Sequence, residues 1–173
     1  MDDSLIVMKL NEENTDFKVL SKDLHSRFTD LINRIDQSII DFEKTEFGIL
    51  DKIIVGAFYL DLYSKDKQCI NIMLILSGNS IEFDYGEEYY LDFAQDYSKT
   101  KTRNQIDTQL DLLFSSPIIE ELFYESEYYI KKRKYLFLNS DGEILKKQES
   151  IDGFRNPFKK YRIVTNKFKP WIN

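Results

Sequence analysis

The chain has 173 residues, 30 acidic against 24 basic, for a net charge of −6. Hydrophobic residues at 42% and charged residues at 31% exclude a disordered chain, and six glycines with three prolines exclude a collagen-like or linker-like one. A single cysteine, Cys69, excludes an internal disulfide.

This length predicts one α+β domain over residues 1–173, burying roughly two thirds of its unfolded surface. The N-terminal MDDSLIVMKL opens on two acids before a short apolar run, unlike the basic start and longer apolar stretch of a secretory signal. No apolar run approaches the roughly 20 residues needed to cross a bilayer. The expectation is a cytoplasmic protein with no membrane partner.

Ser4 to Leu10 alternates weakly, as a short edge strand would. Phe17, Leu20, Leu24, Phe28, Leu31, Ile32, Ile35, Ile39 and Phe42 then recur in steps of three and four. This spacing predicts a long N-terminal amphipathic helix, capped by Thr15 or Ser21 and stopped by Gly48. From Ile53 the period changes to two: Phe58, Leu60 and Leu62 share one strand face, and Tyr59, Asp61 and Tyr63 the other. Ser64–Gln68 reads as a hairpin loop, Cys69–Leu76 as a central strand, and Ser77–Ser80 as a turn. Ile81, Phe83 and Tyr85 alternate with Glu82 and Asp84, and a further segment follows around Tyr89–Phe93. Together these predict an antiparallel β-meander packed by the long helix.

After the meander, Thr102-Arg103-Asn104-Gln105 fits a capping box for a short helix. Ser116-Pro117 fits the start of a second one running through Ile118, Ile119, Leu122 and Phe123. Tyr128–Leu138 returns to strand character. Asn139-Ser140-Asp141-Gly142 predicts a hairpin turn into Glu143–Lys147, and Tyr161–Thr165 a last strand, which together give a C-terminal β-hairpin region.

The residues offer little catalytic chemistry. The one histidine, His25, lies on the flank of the first helix, and Cys69 lies in a core strand, where cysteine behaves as a small apolar residue. There is no glycine-rich phosphate loop. One cysteine and one histidine cannot supply a conventional zinc set. Glu82, Asp84, Glu87 and Glu88 leave open a carboxylate-held Mg²⁺ or Ca²⁺ centre, the basis of an alternative reading as a phosphodiester-cleaving enzyme. Glu82 and Asp84 would then project from one strand face about 7 Å apart. Lys131-Lys132-Arg133-Lys134, followed by Tyr135 and Phe137, supports another alternative, a nucleic-acid- or ligand-binding regulator that also uses Lys159, Lys160 and Arg162. A strand would split that run between two faces, and the acidic chain would repel a polyanion, so nucleic acid is not the expected partner. No catalytic residue and no cofactor is assigned.

The densest signal is Ile81–Tyr97, where six carboxylates alternate with six aromatic rings, and no Lys or Arg occurs between Lys67 and Lys99. Charge is also unevenly spread. Residues 1–98 carry 20 acids and 9 bases, whereas residues 131–173 carry 4 acids and 12 bases. Carboxylates on a rigid sheet beside tyrosines suit capture of a basic protein surface. The candidate contact residues are Asp61, Glu82, Asp84, Glu87, Glu88, Tyr89, Tyr90 and Asp92. An equally direct reading is that the acidic part neutralises the basic C-terminal part of its own fold.

This profile of a small, acidic, aromatic-rich α+β chain without a catalytic set resembles that of immunity proteins, which neutralise toxin domains of bacterial competition systems. The resemblance lies in composition and architecture. It implies tight binding to a basic toxin domain, often a nuclease, by covering its active site or a nearby surface.

Overall fold

The computed structural model describes residues 20–50, 57–86, 95–153 and 159–172. Ser21 starts the first described helix, α1 (Lys22–Arg34), and its hydroxyl accepts a bond from the Leu24 amide. The apolar stripe buries Leu24, Phe28, Leu31 and Ile32. The expected long N-terminal helix is corrected here, because α1 has 13 residues and the chain turns extended at Ile35. The Asp36 carboxylate accepts the Ser38 amide at 2.9 Å, a local bond that competes with continued helix and opens a 3₁₀ turn at Gln37–Ile39. That turn still packs Ile39, and Phe42 beyond it, against the core, which is why the spacing of three and four runs on past the helix end. Gly48, expected as the helix stop, lies instead in a strand, where an added Cβ would come within 3.3 Å of the Tyr59 ring.

The first sheet is an antiparallel meander ordered β1 (Glu46–Leu50), β2 (Ala57–Leu62), β3 (Ile72–Ser77), β4 (Ser80–Tyr85) and β5 (Gln95–Asp96). Its register sets Phe47, Leu60, Leu74 and Phe83 in one row facing the core. The β2–β3 connection is tightened by the Ser64 hydroxyl, which accepts from the Cys69 amide and donates to the Cys69 carbonyl. The expected Ser4–Leu10 strand and the Tyr89–Phe93 segment lie outside the described residues.

Helix α2 (Thr100–Ser115) follows, with Ile106, Leu110, Leu113 and Phe114 buried. It begins before the expected capping box, so Thr102 sits inside it, and no side chain caps the N-terminal residue Lys99. Arg27 joins the two helices, donating to the carboxylates of Asp107 at 3.0 Å and Asp111 at 2.7 Å.

The expected second short helix is a strand, β6 (Ile118–Tyr124). Ser116 ends α2 in an extended conformation, and beyond Pro117 the β-branched pair Ile118-Ile119 enters a pleat that buries Ile118, Glu120 and Leu122 in turn. Strand β7 (Ile130–Leu138) turns through Asn139–Gly142 into β8 (Ile144–Ile151), and β9 (Arg162–Phe168) completes a second antiparallel sheet, ordered β8-β7-β6-β9. The C-terminal hairpin is therefore half of a four-stranded sheet.

One hydrophobic core joins α1, the inner face of the first sheet, α2, Tyr135 and Phe137 of the second sheet, and Trp171 and Ile172.

Candidate protein-interaction face

Strands β1 to β4 carry four charged side chains, Glu46, Asp61, Glu82 and Asp84, and none is basic. The pleat places all four on the face turned away from Leu60, Leu74 and Phe83. Glu46 stands opposite Asp61, Asp61 opposite Met73, and Met73 opposite Asp84. The adjacent row holds Gly48, Tyr59, Ile75 and Glu82. Directly opposed carboxylates such as Glu46 and Asp61 repel each other across the sheet. A cation meeting this face relieves that repulsion.

Its members differ in accessibility. Glu46 is exposed, and Asp61 and Glu82 are half-buried. Asp61 accepts a bond from the Tyr63 hydroxyl at 3.1 Å, so a tyrosine lies beside the carboxylate. Asp84 departs from the expectation of a docking carboxylate, being only 5% exposed and accepting the Tyr85 amide at 2.8 Å. It lines a cavity of about 220 Å³ with Arg133 and Tyr135 of the second sheet. Glu87, Glu88, Tyr89, Tyr90 and Asp92 lie outside the described residues. Glu46 was missed from sequence because its segment read as the end of a helix, and only its register against Asp61 reveals its place in the row.

Phe83, Tyr85 and Tyr97 are all buried. Tyr85 packs edge-on to Tyr135 at 4.8 Å between ring centres, and Tyr135 donates to the Tyr85 carbonyl. The Tyr97 hydroxyl donates to Asp107, and burial with that carboxylate pushes its pKa up to about 12. These rings serve the core, which leaves Tyr59 and Tyr63 as the described tyrosines on the acidic face.

The basic run on β7 divides as strand alternation demands. Lys132 and Lys134 occupy the outer face of the second sheet, where they pair with Glu149 and Glu121. Lys131 and Arg133 take the other side, each 8% exposed. Lys147 also reaches Glu149, and Lys159 reaches Glu125. These four lysines thus find their counter-charges on the second sheet and the turn beside it. Glu149, held by Lys147 and Lys132 together, titrates down at about 2.

The remaining reactive groups are quiet. Burial pushes the Cys69 thiol up to about 11, far from a thiolate at neutral pH. Among the described residues no group of three His, Cys, Asp or Glu side chains is arranged to hold a metal ion. No described helix is long and apolar enough to cross a membrane. No protein-family model, no curated protein and no solved structure matches the chain.

Proposed function

We propose that this protein acts by binding rather than by catalysis, and that it neutralises a basic protein partner, with the toxin domain of a bacterial competition system as the fitting class. The observation that carries this reading is the outer face of the first sheet, where every charged side chain of β1–β4 is a carboxylate and Tyr59 and Tyr63 supply contact area. A predominantly acidic sheet face, with Lys44 and Lys67 beside Tyr63 at its margin, accelerates encounter with an opposite surface and fixes its register. Lys132, Lys134, Lys147 and Lys159 pair within and beside the second sheet, which supports an acidic face directed at another molecule rather than at these cations.

The test is co-expression with the basic toxin domain of a neighbouring upstream gene where the genome carries one, followed by binding kinetics with the purified pair. The native chain is expected to protect the host cell. The Glu46→Lys, Asp61→Lys, Glu82→Lys triple variant is expected to slow association at least tenfold and to flatten its salt dependence. An unchanged on-rate in the triple variant would remove this face from the interaction.

A further inference from the structure

We propose that the β8 edge of the second sheet pairs with the same edge of another copy, joining two four-stranded sheets into one of eight. Among the described residues no strand pairs with the outer side of β8, which is the terminal strand of its sheet. Its eight residues are long for a terminal strand, and they carry three of the most exposed large apolar side chains: Ile144, Leu145 and Ile151, at 60%, 56% and 43%.

The sequence of β8 selects its own occupant. Two copies related by a two-fold axis perpendicular to the sheet run antiparallel and keep their faces aligned, so a residue must meet a partner residue of the same pleat. Centring the axis on Gln148 satisfies this requirement. It sets Gln148 against Gln148 of the second copy, and Lys147 against Glu149 twice, with Leu145 and Ile151 at the two ends. Centring it one residue earlier opposes Lys147 to Lys147, and one residue later opposes Glu149 to Glu149, so like charges exclude both neighbours. In the single chain Lys147 and Glu149 pair with each other at 2.7 Å on the outer face, in position to exchange partners. A foreign strand would need to supply this complementarity, whereas a second copy carries it already.

The ground beside the edge is also open. A bulge at Leu145 interrupts the β7–β8 register, and Leu145 lines a groove of about 650 Å³ with Lys146 and with Gln105, Thr108 and Leu112 of α2. The helix and this strand thus share an open groove beside the edge. The acidic face belongs to the other sheet, and among its described carboxylates only the covered Asp84 shares a cavity with Gln148, Glu149 and Ser150 of β8.

A single strand pair lies at the small end of specific interfaces, so the dimer is expected to dissociate in the micromolar range. Sedimentation velocity over a concentration series reads it directly. The native chain is expected to shift from monomer to dimer. Lys147→Glu and Glu149→Lys should each weaken self-association at least tenfold, while an equimolar mixture of the two regains a mixed dimer in which Glu faces Lys at both contacts. A native chain that stays monomeric at every concentration, or a dimer that survives both single changes, overturns the proposal, as does a mixture without rescue. Lys147 has a side chain 53% exposed, so Lys147→Glu decides the matter alone if Glu149→Lys does not fold.

Discussion

Glu149 shows how a single carboxylate on an exposed strand acquires structural weight. Its oxygen meets Lys132 at 3.0 Å and Lys147 at 2.7 Å, and the Lys132 side chain is only 9% exposed. Its pKa falls from 4.5 to about 2 in the fold. The stabilisation this brings is complete above the unfolded value of 4.5 and fades as the pH falls toward 2. Glu149→Gln is therefore expected to lower Tm at neutral pH, and its Tm should converge on that of the native chain in strong acid. A constant gap across the titration would assign the loss to something other than charge. Gly86 makes a different point. It sits at φ +98°, where an added Cβ would approach the Tyr135 hydroxyl and a Glu120 oxygen at 2.7 Å. Gly86→Ala should cost about 1–2 kcal/mol for the left-handed backbone and about 1–3 kcal/mol for displacing packed neighbours. Gly142, at φ +82° with nothing near its added Cβ, isolates the first contribution. Chemical denaturation should therefore rank Gly86→Ala well below Gly142→Ala, and equal losses would mean that the close approach carries no energy.

Among the elements, the strands of the meander were the most legible. Phe58, Leu60 and Leu62 alternate with Tyr59 and Asp61, and the structure keeps that alternation with core on one side. A two-residue period leaves little freedom, because a slip by one residue would expose the whole apolar row. The helices were less legible for the same kind of reason. Steps of three and four describe an α-helix and a following 3₁₀ turn equally well, so nothing in Ile35, Ile39 and Phe42 betrays the break at Asp36. Only the Asp36–Ser38 bond does, and it is a local choice that periodicity does not encode. At Ser116-Pro117 a helix end imitated a helix start, since Ser before Pro serves both. The pair Ile118-Ile119 favoured a strand, but Glu120 at an inward position obscured the alternation. The structure accounts for it by an Asn166 amide donating to Glu120 at 2.8 Å from the adjacent strand, a pairing between residues 46 apart in sequence. The acidic face was half legible. Its charge was plain, but that the second sheet covers Asp84 and that β1 brings Glu46 into the row depend on contacts distant in sequence.

At the scale of the molecule, the two sheets are joined by the C-terminal segment as well as by the shared core. After β9, the Lys169 amide donates to the Gln68 carbonyl, and residues 69 and 169 form a parallel bridge. The amides of Trp171 and Ile172 both donate to the Phe114 carbonyl at the end of α2, and the Trp171 indole donates to the Ile70 carbonyl at 2.9 Å. Trp171 is 1% exposed, so one side chain fills space between the helix end, the entry to β3 and the strand that leads to it. Trp171→Ala should cost about 3–5 kcal/mol, because it opens a large cavity and also leaves the Ile70 carbonyl without its donor. For a chain of this size that corresponds to a fall in Tm of roughly 6–20 °C. Trp171→Phe retains most of the volume and loses the N–H, so its cost should be near 1–2 kcal/mol. The order native, Trp171→Phe, Trp171→Ala in denaturant midpoint would establish the tail as the clasp between the sheets. A loss below about 1 kcal/mol in Trp171→Ala, within the range of ordinary surface changes, would leave the shared core to hold them alone. The acidic face on one sheet and the β8 edge on the other keep their relative placement through that clasp together with the shared core.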